Sequence, residues 1–298
     1  MSTSCNKLIL ILGPTAVGKS SYALELAKQR ETVILSADSR QIYQGMSIGT
    51  AAPSPEELAE VKHYFIQILP ITESYDASTY AHDARELLTQ LFQTHDTILM
   101  VGGSMMYIQA FLVGMDQIPT VDPRIREELW CEWESKGVEP LREELRSVDP
   151  EYLKKIDPNN HKRIIRALEV YRGTGAPYSS FHSGTQRVKH PYEIEIHSLE
   201  RPRDELYNRI DTRVEQMFVE GLVDEVQQLQ PYRHLNALNT IGYKEVFQYL
   251  DGDLTLEECQ RLIGKNTRRY ARQQESYFRR WTEHENGWQV IRPFATRG

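Results

Sequence analysis

Short apolar runs separated by helix-period segments set the pattern of the first 112 residues. Leu8-Ile9-Leu10-Ile11-Leu12 has the length and composition of a buried parallel strand. A helical stretch follows, with Tyr22, Leu24, Leu26 and Ala27 among polar residues. Thr32 to Ser36 is a second, β-branched run, and a helix is predicted over 78–93. Thr97 to Val101 forms a third strand and feeds a helix from Met105 to Leu112. Such alternation predicts an α/β chain with a parallel sheet flanked by helices. Ligands of such sheets sit at the carboxyl ends of the strands.

From Asp122 to Arg187 the pattern changes. The segment is strongly charged, lacks strand patterning and is punctuated by Pro123, Pro140, Pro150, Pro158 and Gly173-Thr174-Gly175. It is expected to be a helical insertion domain, 122–187, within a core made of 1–121 and 188–298. Strand patterning returns at Tyr192 to Leu199, where apolar and polar residues alternate. One long helix is predicted over 204–230 on the spacing of Leu206, Ile210, Val214, Met217, Leu222, Val226 and Leu229, and another over about 256–282.

The remaining composition narrows the function classes. The longest apolar run is a handful of residues, so no membrane span is expected. A secretory signal at the N-terminus would take the following glycine loop with it on cleavage. The three cysteines, Cys5, Cys131 and Cys259, are isolated, and the nine histidines never fall at metal-ligand spacing. A reducing, cytoplasmic setting and a monomer are expected. A net charge of −7 argues mildly against nucleic acid, but residues 261–280 hold seven Lys or Arg and one acid, Glu275. Local charge decides contact with phosphate backbones.

The first strand runs directly into Gly13-Pro14-Thr15-Ala16-Val17-Gly18-Lys19-Ser20, a complete phosphate-binding loop. Its glycines permit a tight turn whose amides converge on phosphate oxygens. The loop alone leaves kinase, ATPase and other chemistry open. Enzymes that hydrolyse triphosphates usually add a carboxylate at the end of another strand. Here the strand ending at Val101 leads instead into Gly102-Gly103-Ser104. Asp38, after the second strand, is the one carboxylate so placed; it suits a magnesium ligand through water, a base, or simply a cap on the next turn.

Basic residues recur on the last helix at Lys265, Arg268 or Arg269, Arg272 and Arg279, interleaved with Tyr270, Tyr277, Phe278 and Trp281. This pattern suits looped RNA, whose splayed bases need stacking surfaces, and equally a solvated helix whose aromatics are core. Lys162-Arg163-Ile164-Ile165-Arg166 is a second basic patch.

Together these motifs resemble the bacterial tRNA dimethylallyltransferases (tRNA isopentenyltransferases). The resemblance rests on 13–20, Ser-Ala-Asp-Ser-Arg-Gln-Ile-Tyr at 36–43, Gly-Met-Ser-Ile-Gly-Thr-Ala at 45–51 and Gly-Gly-Ser-Met-Met-Tyr at 102–107. It continues through Asp-Pro-Arg-Ile-Arg at 122–126, Arg-Ala-Leu-Glu-Val-Tyr at 166–171, Arg-Ile-Asp-Thr-Arg-Val at 209–214, Ile-Gly-Tyr-Lys-Glu at 241–245 and Thr-Arg-Arg-Tyr-Ala-Arg-Gln-Gln at 267–274. It implies a P-loop NTPase-like fold and transfer of a dimethylallyl group from dimethylallyl diphosphate to N6 of adenine 37 in the tRNA anticodon loop. The diphosphate would lie on Gly13, Pro14, Thr15, Ala16, Val17, Gly18, Lys19 and Ser20, with Ser20 also holding Mg²⁺ and with Arg209 and Arg213 assisting.

By the same resemblance Asp38 is the general base, and Thr15 and Lys19 act at the reacting centre. Contacts to the tRNA, with adenine 37 flipped out, are expected at Asp38, Ser39, Arg40, Gln41, Ser104, Arg126, Lys162, Arg163, Ile164, Ile165 and Arg166. They continue at Asn239, Thr240, Ile241, Gly242, Tyr243, Lys244, Glu245 and Val246, and at Arg272, Gln273, Gln274, Glu275, Ser276, Tyr277, Phe278 and Arg279. Ser104 stands where the family usually has threonine, which keeps the hydroxyl. The rival readings are a small-molecule kinase, a prenyltransferase of free adenine nucleotides and a non-catalytic RNA-binding module.

Overall fold

The computed structural model describes residues 6–116, 118–182, 188–282 and 288–293. Six strands form one sheet: β1 (Lys7–Leu12), β2 (Ile34–Ser36), β3 (His63–Tyr64), β4 (Thr97–Val101), β5 (Glu193–Ser198) and β6 (Gln289–Ile291). They lie in the order β3-β2-β4-β1-β5-β6, and every pairing is parallel. β1 is central because all but its first residue is apolar, and Leu8 to Leu12 are at most 2% exposed. Helix Lys19–Arg30 packs on one face through Ala23 and Ala27, in a core with Ile9, Ile11, Leu99, Leu206 and Ile210.

The carboxyl ends of β1, β2 and β4 are drawn together by backbone bonds. The Ala37 amide donates to the Val101 carbonyl at 2.6 Å, and the Ser104 amide to the Ala37 carbonyl at 3.2 Å. A Cβ on Gly102 would lie 2.1 Å from the Ala37 carbonyl oxygen, so this close approach requires glycine.

The alternation in β5 does not put its polar residues in water: Glu195 and His197 are 7% and 5% exposed. They are buried as a chain, with Lys7 Nζ 3.0 Å from Glu195 Oε2, His197 Nε2 2.8 Å from Glu195 Oε1 and Tyr22 Oη 2.7 Å from His197 Nδ1. The single helix expected over 204–230 is two, Arg203–Val219 and Leu222–Gln228. Gly221 between them adopts a left-handed φ of 99°, which ends the first helix while the apolar spacing continues through it.

The chain divides into two compact units, 1–112 with 188–298, and 113–187. The second begins at Val113, ahead of the Asp122 boundary expected from composition. Its described secondary structure is helical, around a core of Leu129, Leu141, Leu145, Ile156, Ile164, Ile165 and Leu168. Within it Arg172 bridges Glu132 and Glu144 at 2.7 and 2.6 Å. Among the described residues no helix is long and apolar enough to cross a membrane.

Candidate active site

The loop after β1 is braced by two arginines. Arg201 Nε donates to the Val17 carbonyl at 2.7 Å and Arg209 Nε to the Ala16 carbonyl at 2.8 Å. Ala16 has a left-handed φ of 63°, part of a turn of the kind that lets successive amides converge on an anion. Val17 contributes only backbone, since its side chain is wholly buried in the core. Lys19 Nζ donates to the Gly13 and Pro14 carbonyls at 2.9 and 2.7 Å, which arches its side chain over the loop. Burial, and after it the Arg213 charge, pushes the Lys19 ammonium down to about 7, against a smaller opposing pull from Asp38. Ser20 is exposed at the N-terminus of helix Lys19–Arg30, whose first turn has no acidic residue. A helix start of this kind attracts anions.

Arg209 and Arg213 lie one turn apart but differ in environment. Arg209 is exposed, whereas Arg213 reaches inward, with Nη1 3.4 Å from Thr15 Oγ1 and Nη2 3.4 Å from the Thr50 carbonyl. Burial lowers the Arg213 pKa and Asp38 opposes that shift. Asp38 Oδ1 accepts the amides of Arg40 and Gln41 at 2.9 and 3.3 Å, so the capping role is real. Oδ2 takes no hydrogen bond among the described residues. One carboxylate thus fixes its own turn and keeps an oxygen for chemistry.

Two cavities meet here. One, of about 670 Å³, is lined by Thr15, Ala16, Gly18, Lys19 and Ser20 of the loop and by Gly102, Gly103, Arg209 and Gln274. The other, of about 310 Å³, is lined by Ser39, Arg40, Ser104, Asn239, Thr240, Ile241, Gly242 and Lys244. Thr15, Asp38, Thr50, Arg213, Met217 and Tyr270 line both. A chamber lined by the glycine loop therefore adjoins a second chamber, with a carboxylate, a hydroxyl and a guanidinium at the junction.

Known proteins of one family resemble the chain over most of its length. A family model described as IPP transferase matches residues 41–281. The tRNA dimethylallyltransferase 1 of Phocaeicola vulgatus is 48% identical over 273 residues, 92% of this chain and 91% of that protein. The tRNA dimethylallyltransferase 2 of Parabacteroides distasonis is 46% identical over 275 residues, 92% of each chain. The chain belongs to the IPP transferase family.

The crystal structure of the tRNA isopentenylpyrophosphate transferase of Bacillus halodurans is similar to this IPP transferase, with a TM-score of 0.67 and 36% identity over 96% of this chain and 90% of that one. A eukaryotic dimethylallyltransferase shares the fold, with a TM-score of 0.73 at 24% identity, covering 92% of this chain and 70% of that one.

The fold brings together many of the residues expected from sequence and withdraws others. Asp38, Ser39, Arg40, Ser104, Asn239 to Gly242 and Lys244 gather around the second cavity, while Gln41 lines the first. Tyr243, Glu245 and Val246 are at most 3% exposed, so they offer no surface to RNA. Glu245 instead accepts the Gly242 amide at 2.8 Å and Asn266 Nδ2 at 2.7 Å. Phe278 is 3% exposed and Gln274 2%, because both lie on the core side of helix Leu256–Thr282. Arg272, Gln273, Ser276 and Arg279 are exposed on the same helix, with Glu275 and Tyr277 partly so.

In the 113–187 unit Ile164 and Ile165 are fully buried, so only Lys162 and Arg163 of that patch are freely exposed. Arg126 and Arg166 both pair with the buried Glu169, at 3.3 and 3.0 Å. Sequence reasoning missed Thr50, Met217 and Arg201. Thr50 lies in the 45–51 motif and Met217 in the apolar spacing of the helix, neither with a site role, and Arg201 carries no local mark. The fold brings the first two to the cavities and Arg201 to the loop.

Proposed function

We propose that this chain transfers a dimethylallyl group from dimethylallyl diphosphate to N6 of adenine 37 in the anticodon loop of tRNA, releasing diphosphate. The observation that carries the reading is the junction of the two cavities at Asp38, Thr15 and Arg213. The diphosphate lies on the loop amides and Lys19, and the flipped adenine enters the second cavity past Ser104 and Asn239 to Gly242.

An exocyclic amine is a poor nucleophile because its lone pair is delocalised into the ring. As the N6–C1 bond forms and the C1–O bond breaks, Asp38 takes the amine proton. The electron pair of the breaking bond leaves on the diphosphate. Lys19, Arg213 and the loop amides meet the charge that builds on the departing oxygens, and Thr15 donates a hydroxyl beside them. A positioned base is worth about 10²–10⁴ in rate.

Magnesium fits this site through Ser20 Oγ, with the remaining ligands from phosphate and water. Among the described residues no cluster of three His, Cys, Asp or Glu side chains forms a separate metal site. The bound ion would offset phosphate charge. Lys162 and Arg163 in one unit, and Arg272 and Arg279 in the other, supply basic side chains for the anticodon stem-loop. We assign the enzyme to the cytoplasm, as a monomer, with 113–187 as a tRNA-contacting domain.

The test is transfer of labelled dimethylallyl diphosphate to an unmodified anticodon stem-loop, comparing wild type with Asp38→Ala. Label should enter the RNA with wild type and fall by about 10²–10⁴ with the variant. No transfer, together with ATP consumption on a small acceptor, would replace this reading with a kinase.

A further inference from the structure

One uncharged side chain in the phosphate cavity ties the loop backbone to the end of β4. Gln274 enters from the core side of helix Leu256–Thr282. Its Oε1 accepts the Thr15 amide at 2.8 Å, and its Nε2 donates to the Gly103 carbonyl at 2.9 Å. A Cβ built on Gly103 would lie 2.3 Å from Gln274 Nε2 and 3.7 Å from Lys19 Nζ, so the carboxamide stands beside the lysine head. Gln274 therefore closes the space between the first half of the loop and the end of β4.

In loops of this type the amides cradle the first two phosphoryl groups of a triphosphate and the lysine reaches the last two. Here the Lys19 head lies at the Gly13 and Pro14 carbonyls, beside Thr15. Continuation of the phosphate chain leads toward Thr15. There the amide that a further phosphoryl oxygen would use is already bonded to Gln274, whose own two polar atoms are both satisfied. Another phosphoryl group would have to break the Thr15–Gln274 bond and strand a buried carboxamide, a penalty that a diphosphate does not meet. Gln274 also brings no positive charge to repay the anion.

We propose that Gln274 is a specificity-determining residue that restricts the loop to diphosphates and excludes triphosphates, ATP among them. This rests on the diphosphate reading of the loop given above. The exclusion comes from outside the motif, by a side chain more than 250 residues away in sequence. It lets a loop shared with triphosphate-using enzymes serve a different ligand.

The experiment is calorimetric titration of the full chain with magnesium pyrophosphate and with magnesium tripolyphosphate. Wild type should bind pyrophosphate about tenfold tighter or more. Gln274→Ala opens the space directly. Gly103→Ala reaches the same end differently, because its methyl meets only the tip of the flexible Gln274 side chain. Both should bring the ratio to about one, chiefly by tightening tripolyphosphate. If Gln274→Ala does not fold, as judged by thermal melting, Gly103→Ala decides.

Equal binding of the two anions by wild type, or an unchanged ratio in the folded variants, would overturn the proposal. Transfer assayed on the same wild-type sample separates the two ideas. Active transfer without discrimination rejects the role of Gln274 alone. Binding of neither anion, with no transfer, rejects the diphosphate site and this inference together.

Discussion

Glu225 accepts the Tyr243 hydroxyl at 2.7 Å while the same carboxylate takes three successive amides, Ser47, Ile48 and Gly49, at 2.8, 2.7 and 3.0 Å. Consecutive amides of this kind make an anion-binding nest, and here the anion is the protein's own side chain. The arrangement holds the 47–51 segment, whose Thr50 carbonyl receives Gln41 Nε2 at 3.2 Å and Arg213 Nη2 at 3.4 Å. It also explains why Tyr243, in an element that resembles a tRNA-contacting motif, is fully buried.

Glu225→Ala should destabilise the protein by about 3 kcal/mol, since three amides and a buried hydroxyl lose a charged partner. Tyr243→Phe keeps the amide nest and should cost about 1 kcal/mol. Urea unfolding of both variants gives the comparison. Equal losses would mean that the nest contributes nothing beyond the tyrosine bond.

Diphosphate binding should be linked to proton uptake. Lys19 is held down to about 7 by burial and by Arg213, whereas a bound anion favours its ammonium form. Above that value the free protein carries a neutral amine that gains a proton on binding, so affinity falls as pH rises toward about 10. Titration at about pH 8 in buffers of different ionisation enthalpy measures the uptake. Lys19→Met should abolish it. Arg213→Gln removes the second cause of the depression and should shift its onset to higher pH. Heats independent of buffer would contradict this account.

Exposed and buried members of the same basic patch should behave differently. Lys162→Ala and Arg163→Ala are predicted to raise KM for the stem-loop and to reduce the salt slope of RNA binding by about 1 each. Pyrophosphate affinity should not change. Ile164→Ala should instead leave a cavity in the 113–187 core and cost about 2–5 kcal/mol. Binding measured across a salt series, beside thermal unfolding, distinguishes the two. A salt slope unaltered by Lys162→Ala and Arg163→Ala would remove that unit from the RNA interface.

Much of this was legible along the chain because the signals are local. β1 and β4 announce themselves as apolar runs, the phosphate loop as a motif, and helix Leu256–Thr282 through its spacing. β3 and β6, of two and three residues, are too short to leave a periodic trace. The break at Gly221 was hidden because the apolar spacing runs on past it. Ile164, Tyr243 and Phe278 sit in motifs of mixed polarity, and only packing decides which members face inward.

The sequence by itself determined the parallel α/β architecture, the glycine loop after β1 and the place of Asp38 at a strand end. Each depends on residues within a few positions of one another. Tertiary structure alone decided that Arg213 rather than Arg209 reaches Thr15, that Gln274 closes the loop beside Lys19, and that two cavities meet at Asp38. These are long-range contacts between elements separated by most of the chain. Which side of a helix is buried depends on what lies across from it, and no local pattern encodes that.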